Sequence, residues 1–200
     1  MSEFSPDNHR SARTLVSFFG AWAFALPVAA QQHAHAHGRM ALDVAVDAQS
    51  ITLAIESPLD GFLGFERAPR NDSERKRVAD MVARLKAADQ LFQPDPTAGC
   101  KLSKVSLDSA VLGLGDARKA VEDERGPTHA GKVPHAEDKH ADIDVDIVFT
   151  CVKAADARFI DVRLFDAFKR MRTIDTQVAS PQGQFKRSLR PGASRLSLVR

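Results

Sequence analysis

The chain has 200 residues, 44% hydrophobic and 27% charged, which suits one domain with a real core and excludes a disordered or fibrous chain. Its formal net charge of +2 excludes a dedicated nucleic-acid binder, which needs a concentrated basic stripe. The basic residues near the C-terminus (Lys186, Arg187, Arg190, Arg195, Arg200) alternate with apolar ones at strand spacing and read as a solvated sheet face.

Residues 1–30 read as a cleaved Sec-type signal peptide. Arg10 and Arg13 supply a positive start, residues 15–26 (LVSFFGAWAFAL) an apolar run, and Val28 and Ala30 the small residues a signal peptidase reads. A retained anchor helix is the alternative, but residues 15–30 are short of the roughly 20 that span a bilayer. The arginines are not adjacent, so the signal is not of the twin-arginine type, and no Cys marks a lipoprotein. The expected location is the periplasm.

Residues 31–38 then form a His-rich mature N-terminus, His33-Ala34-His35-Ala36-His37-Gly38. In an extended chain three imidazoles spaced two apart project to one side. Neutral imidazole is a ready ligand for zinc, copper or nickel. A solvated linker is the plain alternative.

Residues 39–200 read as a single, mostly β domain of the α+β class: an antiparallel sheet or sandwich of seven to eight strands, with one amphipathic helix and a long His-bearing loop. Met40, Leu42, Val44 and Val46 alternate with polar or small residues, as do Ile51, Leu53 and Ile55 after a turn at 47–50, which predicts a hairpin ending at Ser57-Pro58. Residues 59–66, apolar with two glycines, read as a buried loop or bulge. Asn71-Asp72-Ser73 predicts a helix cap, and Val78, Met81, Val82, Leu85 and Ala88 predict one helix over 73–91. Leu102, Val105 and Leu107 predict a strand opened by Cys100. Residues from about 108 to 139 read as a mobile loop carrying His129 and His135, with His140 just beyond it.

The loop runs into a strand in which Ile143, Val145 and Ile147 face the core while His140, Asp142, Asp144 and Asp146 share the other face. Same-face neighbours on a strand lie roughly 7 Å apart, so an ion with ~2.1 Å bonds engages two of them at most. His140 with Asp142 is the candidate pair; Asp144 and Asp146 read as an ordinary polar face. Residues 159–165 predict a further strand, Ile174, Thr176 and Val178 another, and residues 183–198 close the chain in β structure around a turn with Gly183.

The two cysteines, Cys100 and Cys151, suit a disulfide in an oxidising compartment. Thiolate contributions to a metal site are the alternative, without CxxC spacing behind them. No GxSxG, Walker, HExxH or GxGxxG motif is present, and the expectation is a protein that is not an enzyme. Met40, Met81 and Met171 are too scattered for a thioether copper(I) carrier. Histidine with carboxylate suits Zn2+ first, then Cu2+ or Ni2+. Such a site weakens in acid, because protons compete for the imidazoles.

In the order of its features the chain resembles the ZrgA-type family of secreted bacterial zinc-uptake proteins, long catalogued as a domain of unknown function. The pieces are His33-Ala34-His35-Ala36-His37-Gly38 after a signal peptide, Ile55-Glu56-Ser57-Pro58, Gly64-Phe65-Glu66, and Leu91-Phe92 before Cys100. A His-bearing middle loop, the 142–151 strand and Leu164-Phe165-Asp166-Ala167-Phe168 complete them. The resemblance implies a periplasmic protein that binds zinc and assists a membrane metal transporter. Its ligands here would be His33, His35, His37, His129, His135 and His140, with Asp142. The middle segment of this family is often crowded with His, Asp and Glu. Here residues 128–140 offer His129, His135, Glu137, Asp138 and His140, which points to one site rather than several. Two other readings stand beside this one. In the first, a secreted envelope interaction or assembly domain, the histidines are incidental; in the second, a secreted enzyme, the site carries no recognised motif.

Overall fold

Alternation of apolar and polar side chains builds the strands, because one face of each can then be buried and the other left in water. The computed structural model describes residues 37–115 and 141–199; these lie within one unit, Ala34–Arg200. β1 (Arg39–Val46) and β2 (Ser50–Pro58) form the predicted hairpin, closed by the Asp47 N–H donating to the Ser50 carbonyl at 2.9 Å. They join β4 (Lys101–Asp108), β5 (Asp142–Thr150), β7 (Thr173–Ser180) and β8 (Gly183–Leu189) in a six-stranded sheet ordered β4-β5-β2-β1-β7-β8. β4 and β8 are its edges, and β4 carries a bulge between Leu102 and Lys104.

A second sheet holds β3 (Phe92–Pro94), β6 (Phe159–Val162) and β9 (Arg195–Ser197), ordered β3-β6-β9. The fold is therefore mostly β, with nine strands, four helices of which one is long, and no closed barrel among the described residues. Within the large sheet one pair, β1 with β7, is parallel. Periodicity sets which face a residue takes, not which strand lies beside it, so the antiparallel expectation misses this pair. Buried residues of both sheets and of the long helix, among them Leu53, Ile147, Leu85, Phe92 and Ile160, form one hydrophobic cluster. Each fully buried side chain of this size contributes about 1.5–3 kcal/mol relative to exposure.

The helices are α1 (Asp60–Leu63), α2 (Asp72–Lys86), α3 (Ala88–Leu91) and α4 (Leu164–Ala167). Asn71 caps α2, accepting from the Glu74 N–H at 2.9 Å. The helix predicted over 73–91 breaks at Ala87, which leaves helical geometry; the new direction buries Ala88 and Leu91 and delivers the chain to β3. The strand predicted over 159–165 stops at Val162, and Leu164 and Phe165 are buried on α4 instead. A short apolar run serves either element. None of the helices among the described residues is long and apolar enough to cross a membrane.

Cys100 and Cys151 are joined in a disulfide that ties the start of β4 to the end of β5, so neither thiolate is free to hold a metal.

Glu74 sits in the first turn of α2 and accepts both ends of the Arg67 guanidinium, at 2.7 and 2.9 Å, as well as the Arg70 N–H at 2.7 Å. The Arg67 hydrogen bonds, then the Arg70 N–H, hold its carboxyl down to about 2 from an ordinary 4.5. A carboxyl lowered on folding stabilises the fold above its unfolded value, and that contribution is lost as the pH falls from about 4.5 towards 2. Glu74→Gln should therefore lower the melting temperature by several degrees at neutral pH, with the gap to wild type closing near pH 2. Paired thermal melts at the two pH values check it.

Candidate metal centre

The site forms where three local devices bring distant residues together. Gly38 precedes β1 with φ 72°, and a Cβ there would lie 2.8 Å from the Arg170 carbonyl oxygen, so the position needs glycine. Its own carbonyl accepts from the Arg172 and Thr173 N–H groups at 2.8 and 3.1 Å. His37 is thereby held at the mouth of the β1–β7 pair. Asp60 opens α1 immediately after β2, and Gly64, at φ 80°, ends that helix by donating its N–H to the Asp60 carbonyl at 2.8 Å. The reversal returns Glu66 towards Asp60. Arg67, clamped to Glu74 and stacked 4.8 Å over the Phe65 ring, fixes the residues flanking Glu66.

The result is a convergence of unlike ligands. His37 Nδ1 lies 3.1 Å from Asp60 Oδ2 and 3.4 Å from Glu66 Oε1. The three ligand atoms all fall within 4.8 Å of one another, the one such group of three among the described residues. Two ligands bonded at ~2.1 Å to a tetrahedral ion are roughly 3.4 Å apart, so these atoms need only small shifts to surround one. The His37 side chain is 79% exposed, Glu66 35% and Asp60 18%. The Asp60 Oδ1 atom is buried with no hydrogen-bond partner among the described residues. A buried carboxylate oxygen left unpaired is costly, and a cation is the partner that would offset it.

Of the residues singled out in the sequence, His37 is in this group. Asp142 lies on β5 opposite Pro58, half-buried, and its carbonyl accepts from Ser109 Oγ at 2.7 Å. His33, His35, His129, His135 and His140 lie outside the described residues. However, the Ala141 carbonyl accepts from the Leu59 N–H at 2.9 Å. Ala141 follows His140 in the chain, and Leu59 precedes Asp60.

Asp144 and Asp146 lie on the exposed face of β5, as the polar-face reading expects. Asp144 sits opposite both Glu56 and Asp108 in the sheet register. Burial, then the neighbouring Glu56, Asp108, Asp142 and Asp146 charges, pushes its carboxyl up.

Sequence reasoning missed Asp60 and Glu66. A spacing of six falls on different faces of a helix and roughly 20 Å apart along a strand, and the left-handed Gly64 between them is what makes them neighbours. The glycine pair and, for Glu66, the Gly64-Phe65-Glu66 piece of the resemblance were the available signals.

Residues 34–198 match the description "ZrgA family zinc uptake protein". The chain belongs to the ZrgA family. The match covers all the described strands, the disulfide, and each of His37, Asp60 and Glu66. No curated protein is significantly similar to the chain. Membership in the ZrgA family ties the chain to zinc, and a group of one imidazole and two carboxylates is chemically suited to that ion.

Proposed function

We propose that this protein is a non-catalytic, periplasmic zinc-binding protein that buffers Zn2+ or hands it to a membrane importer. The observation that carries the reading is the convergence of His37, Asp60 and Glu66, with the second oxygen of the Asp60 carboxylate buried and without a hydrogen-bond partner among the described residues. The family supports the ion, and the disulfide is compatible with an oxidising space outside the cytoplasm. Structural zinc sites are closed by four protein ligands, whereas this set leaves a position for water or a further side chain. His140 is the first candidate for it, because its neighbour Ala141 is hydrogen-bonded to the neighbour of Asp60. His35 and His33, two and four residues before His37, are the next. In this reading His129, His135 and Asp142 are auxiliary ligands. An exposed site with an open position releases its ion more readily than a closed one, which suits a carrier.

The test is a calorimetric zinc titration of the metal-free protein, with Cu2+ and Ni2+ run in parallel. Wild type should bind one zinc ion saturably, and His37→Ala, Asp60→Asn and Glu66→Gln should each weaken it at least tenfold, on the order of what loss of a metal-site partner costs. His140→Ala should weaken it less. Affinities unchanged in all three of the first variants would remove the site from these residues.

A further inference from the structure

An open cleft of about 310 Å3 lies between α1, α2 and the residues following α4. Its floor is apolar: Phe62, Leu63, Met81 and Phe168, with the Phe62 and Phe168 rings edge to face at 4.8 Å. Its rim is cationic: Arg77, Arg84, Lys169 and Arg170, against a single carboxylate, Asp80. That carboxylate is taken by Lys76, one turn back on α2, at 2.9 Å. Arg84 Nη1 donates to a neutral acceptor, the Ala167 carbonyl, at 2.8 Å, which leaves its charge uncompensated. The Arg170 guanidinium lies against Gly64, and among the described residues no carboxylate forms an ion pair with it or with Arg77.

Lys169 is paired with Asp166 at 3.4 Å, so three cations, Arg77, Arg84 and Arg170, are without an ion pair among the described residues, and over an aromatic floor they make a site for an organic anion. Guanidinium groups match carboxylates in geometry, and the apolar floor offers contact to a carbon skeleton that an inorganic ion lacks. The position of the cleft adds to this. Gly61, in its wall, directly follows Asp60, and a Cβ on it would stand 3.9 Å from the Gly38 Cα. Arg170 reaches both sides, with its carbonyl against Gly38 and its guanidinium against Gly64, between the two metal-site carboxylates in sequence. The cations would also offset repulsion between an incoming anion and Asp60 and Glu66.

We infer that this cleft binds a small organic polycarboxylate and, resting on the zinc reading above, that zinc is accepted more tightly as its polycarboxylate chelate than as the bare ion. Polycarboxylates carry donors enough to hold a metal with some groups and the arginines with others.

Citrate is the probe, titrated calorimetrically into the metal-free full chain at low ionic strength, with sulfate as the inorganic control. Saturable citrate binding is expected, at least tenfold weaker in Arg77→Gln/Arg170→Gln. Arg84→Gln/Lys169→Gln, which leaves the Gly64 contact intact, should weaken it in the same direction. Added salt should weaken it as well. Absence of citrate binding, binding unchanged in both double variants, or equal binding of sulfate would overturn the inference. In a second arm, Asp60→Asn should keep citrate affinity without metal and lose the added affinity of the zinc–citrate complex. If citrate binds but zinc adds nothing in wild type, the chelate claim falls and the carboxylate cleft remains. If zinc binds alone and citrate does not, the cleft falls and the zinc site remains.

Discussion

Removing the Cys100–Cys151 bridge should destabilise the fold by about 4 kcal/mol, the cost of a closed loop with a sequence separation of 51 in the chain-entropy account. For a chain of this size that corresponds to a fall in melting temperature of roughly 10 °C. The location makes the effect more than a property of the unfolded chain. β4 is an edge strand that pairs with β5 alone, and the bridge pins the residue just before it where the Cys151 N–H also donates to the Gln49 carbonyl at 2.8 Å. Without the bridge the bulged start of β4 has the adjacent ladder as its main restraint, so fraying should begin there. Thermal melts of wild type with and without a thiol reductant, beside Cys100→Ala/Cys151→Ala, measure the loss. Hydrogen exchange should show Lys101 to Val105 losing protection first. A loss under about 1 kcal/mol would mean that the bridge adds little to what the β4–β5 ladder already secures.

Zinc at a hundredfold excess over its dissociation constant should raise stability by about 2.7 kcal/mol, a rise in melting temperature of roughly 5–10 °C. The rise should disappear in Asp60→Ala. In the metal-free state that variant should melt no lower than wild type, because the substitution removes a buried carboxylate oxygen that has no hydrogen-bond partner among the described residues. This pairing of outcomes, stability kept and zinc response lost, separates a ligand from a structural residue. The response should also shrink in mild acid, since zinc takes the deprotonated imidazole. An equal zinc-induced rise in Asp60→Ala would place the ion elsewhere.

The fold was legible where one face of an element is buried. The 39–46 and 51–55 alternations, the Asn71 cap and the 142–150 strand are all found where the pattern puts them. Three-residue β3 is too short to show a period, and the parallel partnership of β1 and β7 depends on contacts more than a hundred residues apart in sequence. The candidate site was legible only in part. His37 stands out because nothing in its neighbourhood competes with it as a core residue. Asp60 and Glu66 do not, because carboxylates are common on surfaces and their meeting depends on one left-handed glycine. Asp142 stood out through its strand alternation with His140, a relation along the chain that carries no information about which loops approach Asp60.

The two borders of the large sheet carry features that disfavour edge-to-edge pairing with copies of the chain. β4 presents Lys101 and Lys104 along a bulged strand, and β8 presents Lys186 and Arg187. Any open-ended association, border against border, would bring like charges together along an irregular line of hydrogen-bonding groups. Lysine-bearing and bulged borders are the usual protection against such stacking. Such borders work against exposed strands templating aggregation, so Lys104→Val and Lys186→Val should lower the concentration at which the protein stays in solution.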